Sequence, residues 1–372
     1  LAAHSRHRTM DAYTGTRTPS QLPFDAAALQ AYLAHALPGF SGPLQIEQFK
    51  GGQSNPTYRL STPGQRYVMR SKPGPVAKLL PSAHAIEREF RVMKALADSP
   101  VPVARMHLLC EDESVIGRAF YIMEHVEGRV LWDQSLPGLS PAERGAVYDE
   151  LNRVLAALHG CDVQALGLAD YGKPGSYFER QIGRWSKQYA ASITQPIEAM
   201  DRLIAWLPAH LPDSARDGSQ VSIVHGDYRL DNLMFHPSEP RVLAVLDWEL
   251  STLGHPLADF SYHCMAWHIQ PGSFRGIGGL DLQALGIPSE SAYIEAYCRR
   301  TGRTGPSAQA TLAHDWNFYL AYNLFRMAAI LQGIAKRVED GTASSEQARQ
   351  AGAGARPLAE LGWRFAQAYT GP

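Results

Sequence analysis

Residues 225–232 read HGDYRLDN, and fifteen positions after Asn232 an apolar run ends at Asp247, followed by Trp248 and Glu249. An apolar run precedes each polar segment, as is typical of strands that present loops at their ends. Phosphoryl transfer requires a carboxylate that orients the attacking hydroxyl, and oxygen ligands that hold Mg²⁺ at the phosphates. An aspartate, an asparagine and a second aspartate in this order therefore predict phosphoryl-transfer chemistry.

Three side chains in these segments supply the required groups. Asp227 is the candidate carboxylate for the hydroxyl, and Asn232 and Asp247 are the candidate metal ligands, because Mg²⁺ prefers carboxylate and amide oxygens. The alternative is that each polar residue only caps a turn. A single aspartate in a loop is compatible with that alternative, but the joint order and spacing of the three residues argue against it.

The two segments resemble the H-G-D-x-x-x-x-N and I/L-D-x-E/D motifs of the aminoglycoside phosphotransferase and choline kinase family, which shares its fold with protein kinases. The resemblance implies that Asp227 is the catalytic base and that Asn232 and Asp247 bind Mg²⁺ beside ATP or GTP. It also implies a role for Glu249, which holds either a metal-bound water or only a hydrogen bond.

Two departures from the protein kinase motifs favour a small-molecule acceptor over a protein substrate. Gly226 takes the place of the arginine in H-R-D, and Trp248 and Glu249 take the place of the last two residues in D-F-G. Residues 177–181 and 316–319 resemble the branch of the family whose members stand alone or are fused to acyl-CoA dehydrogenases.

Residue periodicity outside these segments predicts an α+β fold with two lobes, and the resemblance implies that this bilobal fold is of the protein kinase type. A small lobe with a five-stranded antiparallel sheet and one main helix is expected over residues 24–125, and a larger, mainly helical lobe over 126–372. Residues 1–23 are expected to form a disordered extension, and whether 1–18 are native stays open. The predicted strands are 44–49, 57–61, 66–72, 105–110 and 119–125, and the predicted helices of this lobe are 24–37 and 83–96.

A glycine-containing loop in residues 49–58, FKGGQSNPTY, is the candidate phosphate-binding loop. Glycine allows a close backbone turn, and amide and hydroxyl donors can meet phosphate oxygens. The nucleotide-binding residues expected there are Gly52, Gln53, Ser54 and Asn55. An ordinary hairpin turn is the alternative interpretation.

The strand at 66–72 places Arg70 and Lys72 on one face. Alignment of residues 67–70 with the V-A-I-K strand of kinases makes Arg70 the candidate cation for the α- and β-phosphates, with Lys72 as the alternative. Glu89, on the following helix, is its expected partner, although it could also belong to a solvated charged face.

Residues 120–126 resemble the strand and hinge segment of kinases. The backbone groups of Glu124 and Val126 are expected to hold the edge of a purine. Met123 is expected beside them, although it could equally belong to the core.

The acceptor pocket is expected to include Tyr319, Asn323 and Arg326, which share one helical face at i, i+4 and i+7. Because Arg suits carboxylate and phosphate recognition, this face favours a hydroxylated acid or an acyl-CoA over a polycationic antibiotic. The alternative is that Arg326 pairs with a buried acid such as Asp259. Residues 254–259 resemble the G-D-P-L-x-D segment of the family, which implies that Asp259 braces the catalytic loop.

The composition excludes several other classes of function. The chain has 372 residues, a formal charge of −1 and four cysteines without a C-x-x-C spacing. Neither nucleic acid nor a membrane is therefore expected as a partner, and a cytoplasmic protein with a small-molecule acceptor is favoured. A kinase fold that binds nucleotide or a metabolite without turnover is the alternative. The sequence identifies neither the acceptor nor the oligomeric state.

Overall fold

The computed structural model describes residues 15–50, 55–73, 85–173, 175–216, 218–272, 275–341 and 346–371, which form two compact units. The first, which we call the sheet unit, comprises Leu1–Leu131, Leu166–Leu168 and Asp231–Leu250. The second, which we call the helical unit, comprises Trp132–Ala165, Ala169–Leu230 and Ser251–Pro372. The sheet unit thus extends beyond the predicted lobe boundary at residue 125.

A six-stranded antiparallel sheet with the order β1-β2-β3-β4-β6-β5 forms the body of the sheet unit. Its strands are β1 Thr16–Arg17, β2 Gln45–Phe49, β3 Thr57–Ser61, β4 Arg66–Ser71, β5 Met106–Cys110 and β6 Phe120–Glu124. The five predicted strands are all present. The additional strand, β1, pairs with the end of β2, so two residues of the predicted disordered extension are ordered.

Two helices pack on this sheet unit. Helix α1, Ala26–Ala36, begins at Asp25, whose carboxylate accepts the N–H of Ala27 at 2.8 Å. Its Leu29 and Leu33 join the buried core of the sheet, and each such burial contributes about 2 kcal/mol. Helix α2, Ile86–Leu96, buries an acid, Glu89, on the face that also carries its apolar residues.

Short strands precede and follow the catalytic segments. In the sheet unit, β7 Arg129–Val130, β9 Leu233–Phe235 and β10 Val242–Val245 form a sheet of order β10-β9-β7. In the helical unit, β8 Ser222–Val224 pairs with β11 Thr252–Gly254. The structure thus places polar loop residues directly after β8, before β9 and after β10.

The described helices of the helical unit range from single turns to 34 residues. They are α3 Pro141–His159, α4 Tyr177–Ala191, α5 Glu198–Ala209, α6 Asp213–Arg216, α7 Pro256–Cys264, α8 Leu282–Leu285, α9 Glu290–Arg300, α10 Pro306–Glu339, α11 Glu346–Ala353 and α12 Ala355–Ala368. None of the helices in the described part of the chain has the length and apolarity that crossing a bilayer requires.

Helix α10 forms the centre of the helical unit. It packs against α4, α5, α7, α11 and α12, and every residue from Phe318 to Ala329 is buried. A helix that is buried on all sides has no solvated working face. The helical face assigned to the acceptor from residue spacing therefore lies inside the core of this unit.

Candidate active site

The loop that carries Asp227 is held by a buried carboxylate. Asp259, 2% exposed in the first turn of α7, accepts the backbone N–H groups of His225 at 2.5 Å and Gly226 at 2.8 Å. Burial would raise the pKa of Asp259, but hydrogen bonding from His159 and from the loop lowers it below the ordinary value. Asp259 therefore remains ionised and fixes the loop after β8.

Tyr262 and Arg229 are among the neighbours of the Asp227 carboxylate in the described part of the helical unit. The Tyr262 hydroxyl donates to its Oδ1 at 2.5 Å, and an Arg229 guanidinium nitrogen lies 3.4 Å from its Oδ2. Burial raises the pKa of Tyr262, so the phenol keeps its proton and acts as the donor. The Asp227 side chain is still 18% exposed, which leaves it accessible as a proton acceptor.

Arg326 is placed differently from the prediction. It is 7% exposed and donates to the Gly226 carbonyl, and its guanidinium lies 5.7 Å from the Trp185 ring and 5.2 Å from the Tyr262 ring. It does not pair with Asp259 in the described structure, which was the alternative. Arg326 therefore contacts the catalytic loop and the tyrosine that holds Asp227.

The other two residues of the predicted acceptor face also bind protein groups. The Tyr319 hydroxyl lies 2.7 Å from Ser214 Oγ, and Asn323 Nδ2 donates to Ser261 Oγ at 2.7 Å. Both tyrosine and asparagine are fully buried. These hydrogen bonds to protein groups support a structural role for both residues. Spacing on a helix shows which residues share a face, but it does not show which groups that face contacts.

The two candidate metal ligands of the sheet unit are linked through the backbone. Leu246 N donates to Asn232 O at 2.8 Å, which continues the pairing of β9 with β10 and brings the segments of Asn232 and Asp247 together. Asp247 itself adopts a φ of 64°. This left-handed conformation is uncommon for a residue other than glycine, and such strain clusters at functional sites.

Arg70 lies among three carboxylates of the sheet unit. Its Nε lies 3.0 Å from Glu89, and one terminal nitrogen lies 3.4 Å from Asp247 and 3.5 Å from Glu249. Burial would lower the pKa of Arg70, but the Glu89 charge raises it above the ordinary value. Arg70 is thus permanently charged and paired with Glu89, as predicted, whereas Lys72 pairs with Glu87.

Glu89 receives further donors from its surroundings. Tyr121 donates to it at 3.1 Å and Asn55 Nδ2 at 3.0 Å. Asn55, which was predicted to bind nucleotide, is fully buried and instead holds this carboxylate. The other predicted residues of the phosphate-binding loop, Gly52, Gln53 and Ser54, lie outside the described residues.

The predicted hinge residues lie at the end of β6. Met123 pairs with Val68 and Glu124 with Tyr67, and the Glu124 N–H donates to the Arg105 carbonyl at 2.8 Å. The N–H of Glu124 is therefore already used within the sheet unit. Val126 follows the end of the strand, so its contact with a purine stays a prediction.

The donor set of the sheet unit fits Mg²⁺. The carboxylates of Asp247 and Glu249 approach the same nitrogen of Arg70, which shows that they converge. The backbone bond from Leu246 to Asn232 brings the segment of Asn232, a residue with an amide oxygen, beside that of Asp247. The described residues contain no cluster of three or more His, Cys, Asp or Glu that could hold a metal. Mg²⁺ is usually bound by only a few protein oxygens, and water and phosphate oxygens complete its coordination.

Two residues with direct contacts to Asp227 escaped the sequence reasoning. Arg229 stands inside the quoted motif, and its charge two positions after Asp227 could have marked it. Tyr262 lies 35 positions from Asp227, and no local pattern relates the two.

Comparison with known proteins places the chain among phosphotransferases. The model of the phosphotransferase enzyme family, APH, matches residues 45–310. A crystal structure from Ralstonia eutropha, provisionally assigned as an aminoglycoside phosphotransferase, is 65% identical with a TM-score of 0.84, and the match covers 93% of this chain and 99% of that one. A choline kinase from Cryptosporidium parvum, 12% identical with a TM-score of 0.58 over 93% of this chain and 94% of that one, shares the fold. The kinase-like α+β fold is thereby confirmed.

Curated relatives are longer than this chain. Acyl-CoA dehydrogenase family member 10 of Mus musculus is 50% identical over 91% of this chain, and family member 11 of Homo sapiens is 44% identical over 92%. The chain spans 31% and 43% of these relatives, respectively. The predicted resemblance to the branch related to acyl-CoA dehydrogenases is confirmed.

We expect Arg70→Ala to destabilise the folded chain by about 3 kcal/mol, because it leaves the Glu89 carboxylate buried without its cation. Burial raises the pKa of Glu89 and the Arg70 charge opposes that rise, so Glu89 should take up a proton more readily in the folded variant than in the folded wild type. The loss should therefore shrink as pH falls from about 8 to about 5. Urea unfolding of wild type and variant across this pH range measures the difference in the free energy of unfolding.

Lys72→Ala is the matched control. Lys72 and Glu87 are each 28% exposed, so breaking this pair should cost less than about 1 kcal/mol. Equal losses in the free energy of unfolding for Arg70→Ala and Lys72→Ala would show that the stability of the sheet unit does not depend on Arg70 in particular.

Proposed function

Because the chain belongs to the phosphotransferase enzyme family, we propose that it transfers the γ-phosphate of ATP or GTP, with Mg²⁺, to a hydroxyl of a small molecule. The observation that carries this proposal is that the Asp227 carboxylate is held in place and remains accessible. Its loop is fixed through Asp259, one carboxylate oxygen is bound by Tyr262, and the side chain stays accessible. A carboxylate held this way can orient an acceptor hydroxyl and take its proton as the oxygen attacks phosphorus.

The sheet unit supplies the complementary groups in this proposal. Asn232 and Asp247, with Glu249 as a third oxygen donor, would hold Mg²⁺, which neutralises charge on the phosphates when bound. Arg70 is the cation proposed for the α- and β-phosphates. Its charge persists because Glu89 stabilises it. On nucleotide binding, the contacts of Arg70 with Asp247 and Glu249 would be exchanged for phosphate oxygens.

The proposed acceptor is a hydroxylated acid or an acyl-CoA. Support comes from Arg229, which lies beside the Asp227 carboxylate, since a cation at this place favours acceptors that carry negative charge. A polycationic aminoglycoside would need compensating acids for each ammonium group. A cytoplasmic location is proposed because all four cysteines are free thiols, as in a reducing compartment.

The alternative is a nucleotide- or metabolite-binding protein without turnover. Two features favour this alternative: the buried Asn55 donates a hydrogen bond to Glu89, and an arginine stands at the position of the kinase lysine. The ionisable groups expected for catalysis are nevertheless all present. Turnover measurements therefore distinguish a phosphotransferase from a binding protein without turnover.

Asp227→Asn should lower kcat by about 10²- to 10⁴-fold, because the amide cannot accept the hydroxyl proton. Nucleotide affinity should change by less than about threefold, since the carboxylate acts on the acceptor. A coupled ADP-release assay and calorimetry measure the two quantities. Asp213→Asn, at an almost fully exposed position of the same unit, is the control, and a fully active Asp227→Asn enzyme would refute the role.

Asp247→Ala should remove the Mg²⁺ dependence of ATP binding, because one charged ligand of the proposed metal is lost. Calorimetric titration of ATP with and without Mg²⁺ tests this. Glu249→Gln, which keeps an oxygen donor, should weaken the dependence less. The same gain in affinity from Mg²⁺ in wild type and Asp247→Ala would place the metal on other residues.

A further inference from the structure

Helix α7 contacts the catalytic loop through both Asp259 and Tyr262. These residues lie three positions apart, so they share one face of the helix. Asp259 accepts the backbone N–H groups of His225 and Gly226, whereas the Tyr262 hydroxyl donates to Asp227 Oδ1 at 2.5 Å. One helix therefore holds the backbone of the loop and also the carboxylate that the loop presents.

The two contacts constrain different parts of the loop. The bonds to Asp259 fix the backbone before Asp227, but they do not set the rotation of the Asp227 carboxylate about χ2, a torsion whose preferences are broad. Arg229 also approaches this carboxylate, but it belongs to the same loop and its 3.4 Å contact is long for an N–H···O bond between charged groups. The bond from Tyr262 comes from a separate element and is short, so it is the contact that can fix the plane of the carboxylate.

The backbone of Tyr262 is itself held in the core. Every residue of α7 is buried, and Asn323 of α10 donates to the Ala258 carbonyl at 3.0 Å and to Ser261 Oγ at 2.7 Å. These bonds attach α7 to the central helix directly before Tyr262. The phenol therefore extends towards Asp227 from a fixed part of the helical unit.

The ring of Tyr262 is confined as well. The Arg326 guanidinium lies 5.2 Å from the centre of this ring, within the range of a cation–π contact, and it also donates to the Gly226 carbonyl. Burial and the Asp227 charge raise the pKa of Tyr262, so the phenol keeps its proton. The hydroxyl is therefore a hydrogen-bond donor at a fixed place beside the Asp227 carboxylate.

We propose that Tyr262 is a positioning residue for phosphoryl transfer, whose hydroxyl sets the rotation of the Asp227 carboxylate about χ2. The inference rests on the proposed function, since it assumes that Asp227 orients the hydroxyl that attacks phosphorus. Tyr262 acts through Asp227 and contacts neither nucleotide nor acceptor in this proposal. Loss of its hydroxyl should therefore slow turnover without weakening nucleotide binding, and only in an enzyme that retains the Asp227 carboxylate.

Crystal structures of wild type and Tyr262→Phe test the positioning without requiring turnover. The replacement keeps the ring and its packing and removes only the hydroxyl. We expect the Asp227 carboxylate to turn by more than about 30° or to occupy two orientations, while the Cα atoms of residues 225–227 stay within about 0.5 Å of their wild-type positions. An unchanged carboxylate would overturn the proposal. A displaced loop backbone would also overturn it, because Tyr262 would then support the whole loop.

Kinetics show whether the effect acts through Asp227. ADP release from Mg-ATP is measured with water as the acceptor. Tyr262→Phe should lower kcat about tenfold to hundredfold, because a hydrogen bond to a charged group is lost, and KM for ATP should change by less than about threefold. In the Asp227→Asn enzyme the same replacement should change kcat by less than about twofold, since the carboxylate is already absent. Equal losses of kcat in the two backgrounds would contradict the proposal.

Tyr148→Phe is the matched control. Tyr148 is also fully buried in the helical unit, and its hydroxyl donates to the Gln134 carbonyl at 2.7 Å. This replacement likewise removes one buried hydroxyl and keeps the ring, but the lost bond does not involve Asp227. Its kcat should stay within about twofold of wild type. A loss equal to that of Tyr262→Phe would show that removal of any buried hydroxyl slows this enzyme, and the assignment would fail.

The outcomes separate this inference from the proposed function. If Asp227→Asn lowers kcat but Tyr262→Phe changes neither kcat nor the carboxylate orientation, the phosphotransferase activity stands and the role of Tyr262 is rejected. If the carboxylate turns in Tyr262→Phe but wild type transfers phosphate neither to water nor to any hydroxyl compound supplied, the structural effect of Tyr262 stands and the phosphotransferase activity is rejected.

Discussion

The buried carboxylate of Asp259 accepts the N–H groups of two successive loop residues, His225 and Gly226, and the placement of Asp227 follows from that contact. An amide side chain could not accept both bonds as a carboxylate does, because it has only one acceptor oxygen. His159, also buried, helps to keep Asp259 ionised. The first turn of α7 and the end of β8 are thus joined by charge-assisted hydrogen bonds, and the loop takes its shape from them.

A second charge cluster determines the arrangement of the sheet unit. Arg70 meets Glu89 through Nε and reaches Asp247 and Glu249 through a terminal nitrogen. A lysine ammonium at this position would be a single point charge and could not present two separate edges to acids on different elements. The arginine in place of the usual kinase lysine is therefore physically consistent with this set of carboxylates.

The sequence was most informative where local pattern determines structure. The five strands and helix α2 follow from alternation and helical spacing, and the role of Asp259 was implied by the family resemblance. Strand β1 was missed because two residues carry no periodic signal. The acceptor face around Arg326 was misplaced because every residue from Phe318 to Ala329 of α10 is buried, so shared spacing did not identify an exposed surface. Tyr262 could not be found from sequence, since its contact with Asp227 joins residues 35 positions apart within the helical unit.

Arg326 connects the buried middle of α10 to the backbone of the catalytic loop, because its guanidinium donates to the Gly226 carbonyl. Loops at active sites commonly open in local fluctuations that leave the rest of a domain intact. Here the loop shares a hydrogen bond with the core helix on one side and Asp259 on the other. We therefore expect its amide hydrogens to exchange slowly, together with those of the core, because opening the loop breaks its hydrogen bonds to both.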